Sequence, residues 1–274
     1  MLQVFAVPHP LSQWLDGAVI IRMGADQHES RFPAMPRAML TMHLTRTATN
    51  APWSIAQAAT FHTLTTEPTA YTHAGGITAL GLIVRPAAAV CLLQLACSGA
   101  TNTALPWSDV AGQAEAARLA EQLSPLDNEW ACLRALTASF GRAMEGVAAE
   151  QRQQTEQLCE AVGRLGAQAG VALGIGRRQL ERRCRSVLGM SPKHFERLER
   201  FHRALTAVVT QDDASLAQES IDAGYYDQSH LALDARELGG PSVLALKSQA
   251  QAHTPWWALS TPRALQACSD PLKP

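Results

Sequence analysis

Lysine is scarce in this chain: only three of its 23 basic residues are lysine, the rest arginine. Charge of either sign is thin at 17% of 274 residues, aromatics make up 5%, and 23 basic residues nearly cancel 24 acidic ones. That balance excludes a uniformly basic nucleic-acid coat protein. It leaves room for a local basic face, because a sum hides asymmetry. No C-x-x-C pair occurs among Cys91, Cys97, Cys132, Cys159, Cys184 and Cys268, which argues for a reducing compartment over a disulfide scaffold. No apolar run reaches the ~18 residues of a membrane span, and the N-terminus lacks a basic region followed by an apolar core. A soluble, unprocessed, cytoplasmic protein without membrane contact is the expectation. The 47% of hydrophobic residues excludes disorder. A length of 274 residues favours two domains at ~150 residues each.

Charge is unevenly spread. Residues 1–150 carry 8 basic and 11 acidic side chains, and residues 151–274 carry 15 and 13. Nine basic residues crowd into 177–203: Arg177, Arg178, Arg182, Arg183, Arg185, Lys193, Arg197, Arg200 and Arg203, opposed by Glu181, Glu196 and Glu199. Two readings stand side by side. One is a solvated helix face with i,i+4 pairs such as Glu196–Arg200 and Glu199–Arg203. The other is a phosphate-contacting surface.

The first hundred residues read as strand. Ala18–Ile21 is a short apolar run, Met39–Thr45 alternates with period two, and Thr60–Thr66 and Leu80–Val84 look similar. Pro33, Pro36, Asn50-Ala51-Pro52, Pro68 and Gly75-Gly76 punctuate them, which suggests a small sandwich or barrel. Residues 87–97 fit helix or strand. Helical pattern begins at Glu115–Leu123 and Asn128–Met144, and the Gln/Glu-rich stretch 149–157 marks the boundary region. The expected division is a β-rich domain over 1–112, a helical connector over 113–150, an all-α module over 151–252 and a Pro-containing tail over 253–274.

The C-terminal half carries the recognisable grammar. Leu180, Cys184, Val187 and Leu188 form one buried stripe on a helix over 177–188. Gly189 closes that helix, and Ser191-Pro192 caps the next, Lys193–Val209, whose inner face is Phe195, Leu198, His202, Leu205 and Val209. Ser215 and Gln218 make a capping-box pair for a short helix. Ala223-Gly224-Tyr225 turns the chain, and Asp227 caps a helix over Gln228–Leu238 that Gly239-Gly240 ends. A short helix, a tight turn and an exposed polar helix thus occur twice around one long helix, as in helix-turn-helix proteins.

Arg178-Gln179-Leu180-Glu181-Arg182-Arg183, Gly189-Met190-Ser191-Pro192-Lys193 and Gly224-Tyr225-Tyr226-Asp227-Gln228-Ser229-His230-Leu231 resemble the AraC/XylS family of bacterial transcription regulators over about 160–246. Residues 84–88 and 105–110 resemble the cupin-like sensor domains that precede such modules. The resemblance implies an α+β two-domain protein. A β-rich cupin-like barrel or sandwich would sense a small-molecule effector and form a homodimer. Two helix-turn-helix units joined by a long helix would enter successive major grooves of double-stranded DNA and act as an activator with RNA polymerase. Carried over by position, base-edge readers are Arg178, Glu181 and Arg182 on the first recognition helix, with Arg177 near the backbone and Lys193 and Arg200 able to reach phosphate. On the second they are Tyr226, Gln228, Ser229 and His230. Glu181 either accepts from cytosine or holds Arg185.

The sequence departs from the family at several positions. Ala172–Gly176 lies between the expected turn at Gly170-Val171 and Leu180, about one helical turn too many, so the first helix is longer or the turn enlarged. Cys184 and Ala235 stand where phenylalanine is common, and Leu233 where arginine is. These departures motivate an alternative, a family descendant with weakened DNA reading that acts through protein–protein contacts; burial of Arg178 and Arg182 would favour it. No catalytic, cofactor or metal site is expected. His28, His43, His62 and His73 lack a His-x-His followed by Glu, Gly174-Ile175-Gly176 lacks the third glycine of a dinucleotide loop, and no nucleophile elbow occurs. Trp14, Trp53 and Trp107 read as core rather than as a pocket lining, and Trp256-Trp257 as a tail anchor.

Overall fold

The computed structural model describes residues 2–46, 51–96, 99–124, 128–210 and 216–251; Ser215, Trp256-Trp257 and the tail lie outside them. Among the described residues the N-terminal part holds eight strands: β1 (Leu2–Phe5), β2 (Leu15–Arg22), β3 (Glu29–Phe32), β4 (Ala38–Thr45), β5 (Ser54–His62), β6 (Thr69–Thr72), β7 (Thr78–Val84) and β8 (Ala104–Pro106). Six form one antiparallel sheet in the order β1-β2-β7-β4-β5-β8, and β3 pairs with β6 in a separate ribbon.

β4 obeys its period strictly. Leu40, Met42 and Leu44 are buried toward the helices, while Met39, Thr41 and His43 are half-buried on the opposite face. β7 is buried along its whole length: Leu80, Leu82 and Val84 join the main core, and Ala79 and Ile83 join a smaller cluster with Val4, Val19, Ile21 and Met35. The β3–β6 ribbon covers that second face. Thr63–Thr66, read from sequence as strand, is irregular. Its backbone bonds go to Thr103, Asn102 and Met35 instead of a ladder.

The helices are α1 (Pro86–Ala96), α2 (Trp107–Ala111), α3 (Gln113–Gln122), α4 (Glu129–Glu145), α5 (Ala149–Leu165), α6 (Ala169–Ala172), α7 (Arg177–Leu188), α8 (Pro192–Thr210), α9 (Leu216–Asp222), α10 (Gln228–Asp234) and α11 (Val243–Gln251). Residues 87–96 are thus helix. Trp107 is core, stacked between Phe61 and Phe140, with its Nε1 donating to Ser139 Oγ at 2.9 Å. Asn128 caps α4 by accepting from Ala131 N. α5 packs against α1 on one side and α8 on the other. Gly163 allows this: a Cβ there would lie 3.1 Å from Glu199 and 3.5 Å from Phe195. One continuous buried cluster therefore runs from Phe5 to Leu246.

Candidate functional site

α7 is built as read. Leu180, Cys184 and Leu188 are buried, and Gly189 ends the helix at φ +71°. Arg177, Arg178, Arg182 and Arg185 are exposed on its other side. Glu181 lies between Arg177 and Arg185 at 3.5 and 3.9 Å, so its carboxylate is shared by its own helix. Arg178 and Arg182 make no hydrogen bond or ion pair among the described residues, and Lys193 is exposed at the start of α8.

The second unit keeps its cap but shortens its helix. Asp227 accepts from His230 N at 2.8 Å, starting α10. The helix then loosens at Ala235–Gly239 into a π-turn, which ends at Gly240 with φ +84°. Tyr226 is 89% exposed, Gln228 and Ser229 are exposed, and His230 is half-buried with its ring against Tyr225 at 5.1 Å.

The turn of the first unit is not enlarged. α6 ends at Ala172 and α7 starts at Arg177, so the turn is Leu173–Gly176; the second unit uses Ala223–Asp227. Each contains a left-handed glycine, Gly174 at φ +64° and Gly224 at φ +93°. The extra residues are absorbed earlier, where Gly166 at φ +52° breaks α5 and a 3-10 turn, Gly166–Gln168, leads into α6.

One of the two expected pairings differs. Glu196–Arg200 forms at 2.9 Å, but Glu199 turns away from Arg203 and binds Arg37 of the N-terminal part at 2.9 Å. Arg200 does not reach outward: its side chain is 16% exposed and lies over the Tyr225 ring at 4.8 Å.

The N-terminal part contains a cavity of about 230 Å³ between the six-stranded sheet and the β3–β6 ribbon. Apolar walls come from Ile21, Phe32, Met35 and Met39, and polar atoms from His43, His62, His73 and several threonines. Burial holds His62 down to about 4 and also lowers His43. Thr41 Oγ1 meets His62 Nε2 at 2.9 Å, and Ser30 Oγ meets His73 Nε2 at 3.0 Å. No group of three or more His, Cys, Asp or Glu among the described residues is placed to hold a metal ion. Trp14 and Trp53 each lie under an arginine, Arg152 and Arg46.

Residues 171–246 match a family described as helix-turn-helix domain. The C-terminal module is a helix-turn-helix domain. No curated protein matches the chain significantly. Solved structures similar to it include ToxT from Vibrio cholerae in its P21 form, with 10% identity over 84% of this chain and 97% of that one and a TM-score of 0.45. Another is ToxT from V. cholerae O395 bound to (E)-4-(8-methylnaphthalen-1-yl)but-3-enoic acid, with 11% identity, 89% and 98% coverage and a TM-score of 0.46. A third is unsaturated fatty acid-bound wild-type ToxT from V. cholerae strain SCE256, with 11%, 90%, 94% and 0.43 respectively.

Two parts of the helix-turn-helix domain escaped the sequence reading. Asp234, 3% exposed, gathers Arg197 at 2.7 Å, the Tyr225 hydroxyl at 2.8 Å and Arg200 at 3.6 Å. Arg197 also pairs with Glu237. Burial and the Asp234 carboxylate both push the Tyr225 phenol upward. An aspartate facing three partners on two other segments leaves no local pattern; only its place on the inner side of α10 hints at it. The second part is the joint with the N-terminal domain. Arg37 bridges Asp16 at 2.6 Å and Glu199 on α8, and Asp16 also binds Arg85 at 2.8 Å. Burial alone would raise the Asp16 pKa, but Arg37 and Arg85 outweigh it and bring it below the usual value. Ala34 N donates to Leu238 O at the end of the second unit, at 2.6 Å. Gly189 lies so close to Gly99 O that a Cβ would sit 2.1 Å from it.

Proposed function

We propose that the chain is a sequence-specific DNA-binding transcription regulator. Residues 151–252 read double-stranded DNA, 113–150 connect, and the β-rich domain over 1–112 senses a small molecule and carries a dimer contact. The observation that supports this most is the side-chain economy of α7. Among the described residues Arg178 and Arg182 stay exposed and unpaired, on a helix whose other face buries Leu180, Cys184 and Leu188 and half-buries Val187. Their burial would have favoured a protein-contact role, and they are not buried.

In this reading Arg178 and Arg182 fork onto guanine edges, Arg177 and Lys193 contact phosphate, and Glu181 holds its two arginines in place. Tyr226, Gln228, Ser229 and His230 read the second groove, with Gln228 suited to adenine. α8, at 19 residues, is about 28 Å long. That suits grooves recurring every ~34 Å on one face of the duplex. Cytoplasm is the compartment and RNA polymerase the partner this reading expects, with no enzymatic step. Selection from a random duplex library at low salt tests it. A motif with two half-elements about one helical turn apart is the expected result, and no enrichment refutes it.

A further inference from the structure

The cavity of the N-terminal domain says more about what fits it than its size alone. A cavity of ~150 Å³ lined by aliphatic side chains holds benzene. At about 230 Å³, this one has room for a ring bearing roughly three further non-hydrogen atoms. Ile21, Phe32, Met35 and Met39 supply walls that suit a flat apolar body, and Met side chains adapt to its outline.

Charge on the ligand has no counterpart. No Asp or Glu lines the cavity among the described residues, so an ammonium group would be stripped of water without an acceptor. Arg37 is the only Lys or Arg there among the described residues. It is 15% exposed and already engaged by Asp16 and Glu199. Burial keeps His43 and His62 uncharged at neutral pH. A carboxylate entering here would meet a cation whose charge Asp16 and Glu199 already balance.

A small polar demand remains. His62 Nδ1 and Thr69 Oγ1 are buried and have no hydrogen-bond partner among the described residues, and both residues line the cavity. His62 Nε2 is held by Thr41 Oγ1. That hydroxyl can give or take a proton, so Nδ1 can serve as donor or acceptor. His73 is satisfied, by Ser30 Oγ at one nitrogen and Ala74 O at the other.

We infer that the cavity takes an uncharged, ring-sized apolar molecule with one hydroxyl or carbonyl oxygen, seated against His62 and Thr69. This rests on the sensor reading and names its ligand class. Three molecules of matched size separate the possibilities: acetophenone, which is neutral with a carbonyl; benzoate, its anionic counterpart; and α-methylstyrene, the same shape without oxygen. Dissociation constants for the full chain are read by ligand-observed NMR at neutral pH.

Acetophenone is expected to bind at least tenfold tighter than benzoate. It should bind about fivefold tighter than α-methylstyrene, the worth of one net hydrogen bond. His62→Phe and Thr69→Val should each weaken acetophenone about fivefold and leave α-methylstyrene unchanged; two variants keep the test alive if one misfolds. Benzoate binding as tightly as acetophenone, or no binding by any of the three, overturns the inference. Duplex selection on the same preparation separates the readings. Absent motif enrichment with the ligand order intact counts against the regulator and supports the ligand class.

Discussion

The two helix-turn-helix units share a plan and use charge in opposite ways. In the first, arginines cluster on α7 and face outward, with one glutamate lying between Arg177 and Arg185. In the second, the arginines that touch it come from α8, and they point inward: Arg197 and Arg200 close on Asp234 and Tyr225. A basic stretch in sequence is therefore not a basic surface. Of the nine cations over 177–203, two serve as internal struts of the neighbouring unit, and the free ones concentrate on α7. The exposed start of α10 presents the uncharged side chains of Tyr226, Gln228 and Ser229 instead.

This contrast can be broken most severely at Asp234. Asp234→Ala should cost about 3 kcal/mol, since it removes the buried carboxylate that joins Arg197, Arg200 and the Tyr225 hydroxyl and leaves that hydroxyl without its acceptor. Thermal unfolding checks this, and the loss should exceed that of any charge removal on α7. Arg182→Ala should leave the melting temperature in place. It should weaken binding to the selected duplex by about 2 kcal/mol and relax preference at one base pair, whereas Arg177→Ala, losing a phosphate contact, should lower the salt slope by about one, all read by titration at several salt concentrations. Gln228→Ala should cost about 1–2 kcal/mol of discrimination at its own base pair with no change in salt slope. If Gln228 and Arg177 behave alike in salt, the contrast between the units fails. Gly174→Ala should cost about 1 kcal/mol of stability. Its Cβ meets nothing within 4 Å, so the penalty is the left-handed backbone alone; denaturant midpoints report it. Smallest of all, Glu181→Gln should change stability by less than about 0.5 kcal/mol, because its arginine partners are exposed.

Local pattern made some elements legible and others not. Leu40, Met42 and Leu44 show their strand because one face is core and the other is not. β3 and β6 are short, and their alternation is one of partial exposure, so nothing in Glu29–Phe32 or Thr69–Thr72 stands out. Thr60–Thr66 has the composition of a strand throughout. Its second half leaves the ladder because Thr65 Oγ1 and Asn102 satisfy its neighbours' backbone N–H groups. The recognition helices were legible to their caps, Gly189 and Asp227. The turn near Gly174 was misplaced because five glycines over 163–176 offer several break points, and only backbone conformation tells the break at Gly166 from the turn at Gly174. The inward arginines were illegible for another reason: Asp234 is 37 residues from Arg197.

The occupied faces of α8 bear on how far this protein can be taken apart. One side of that helix leans on α5 through Phe195 and Gly163, another answers Arg37 with Glu199, and a third holds the second unit through Arg197 and Arg200. Grafting the helix-turn-helix half onto a foreign N-terminal domain would carry Glu199 along without its cation. A chimaera cut ahead of α6 would also expose the flank that α5 covers. Exchange between relatives should succeed only when Asp16, Arg37 and Glu199 travel together, so the heritable unit of this design is the joint.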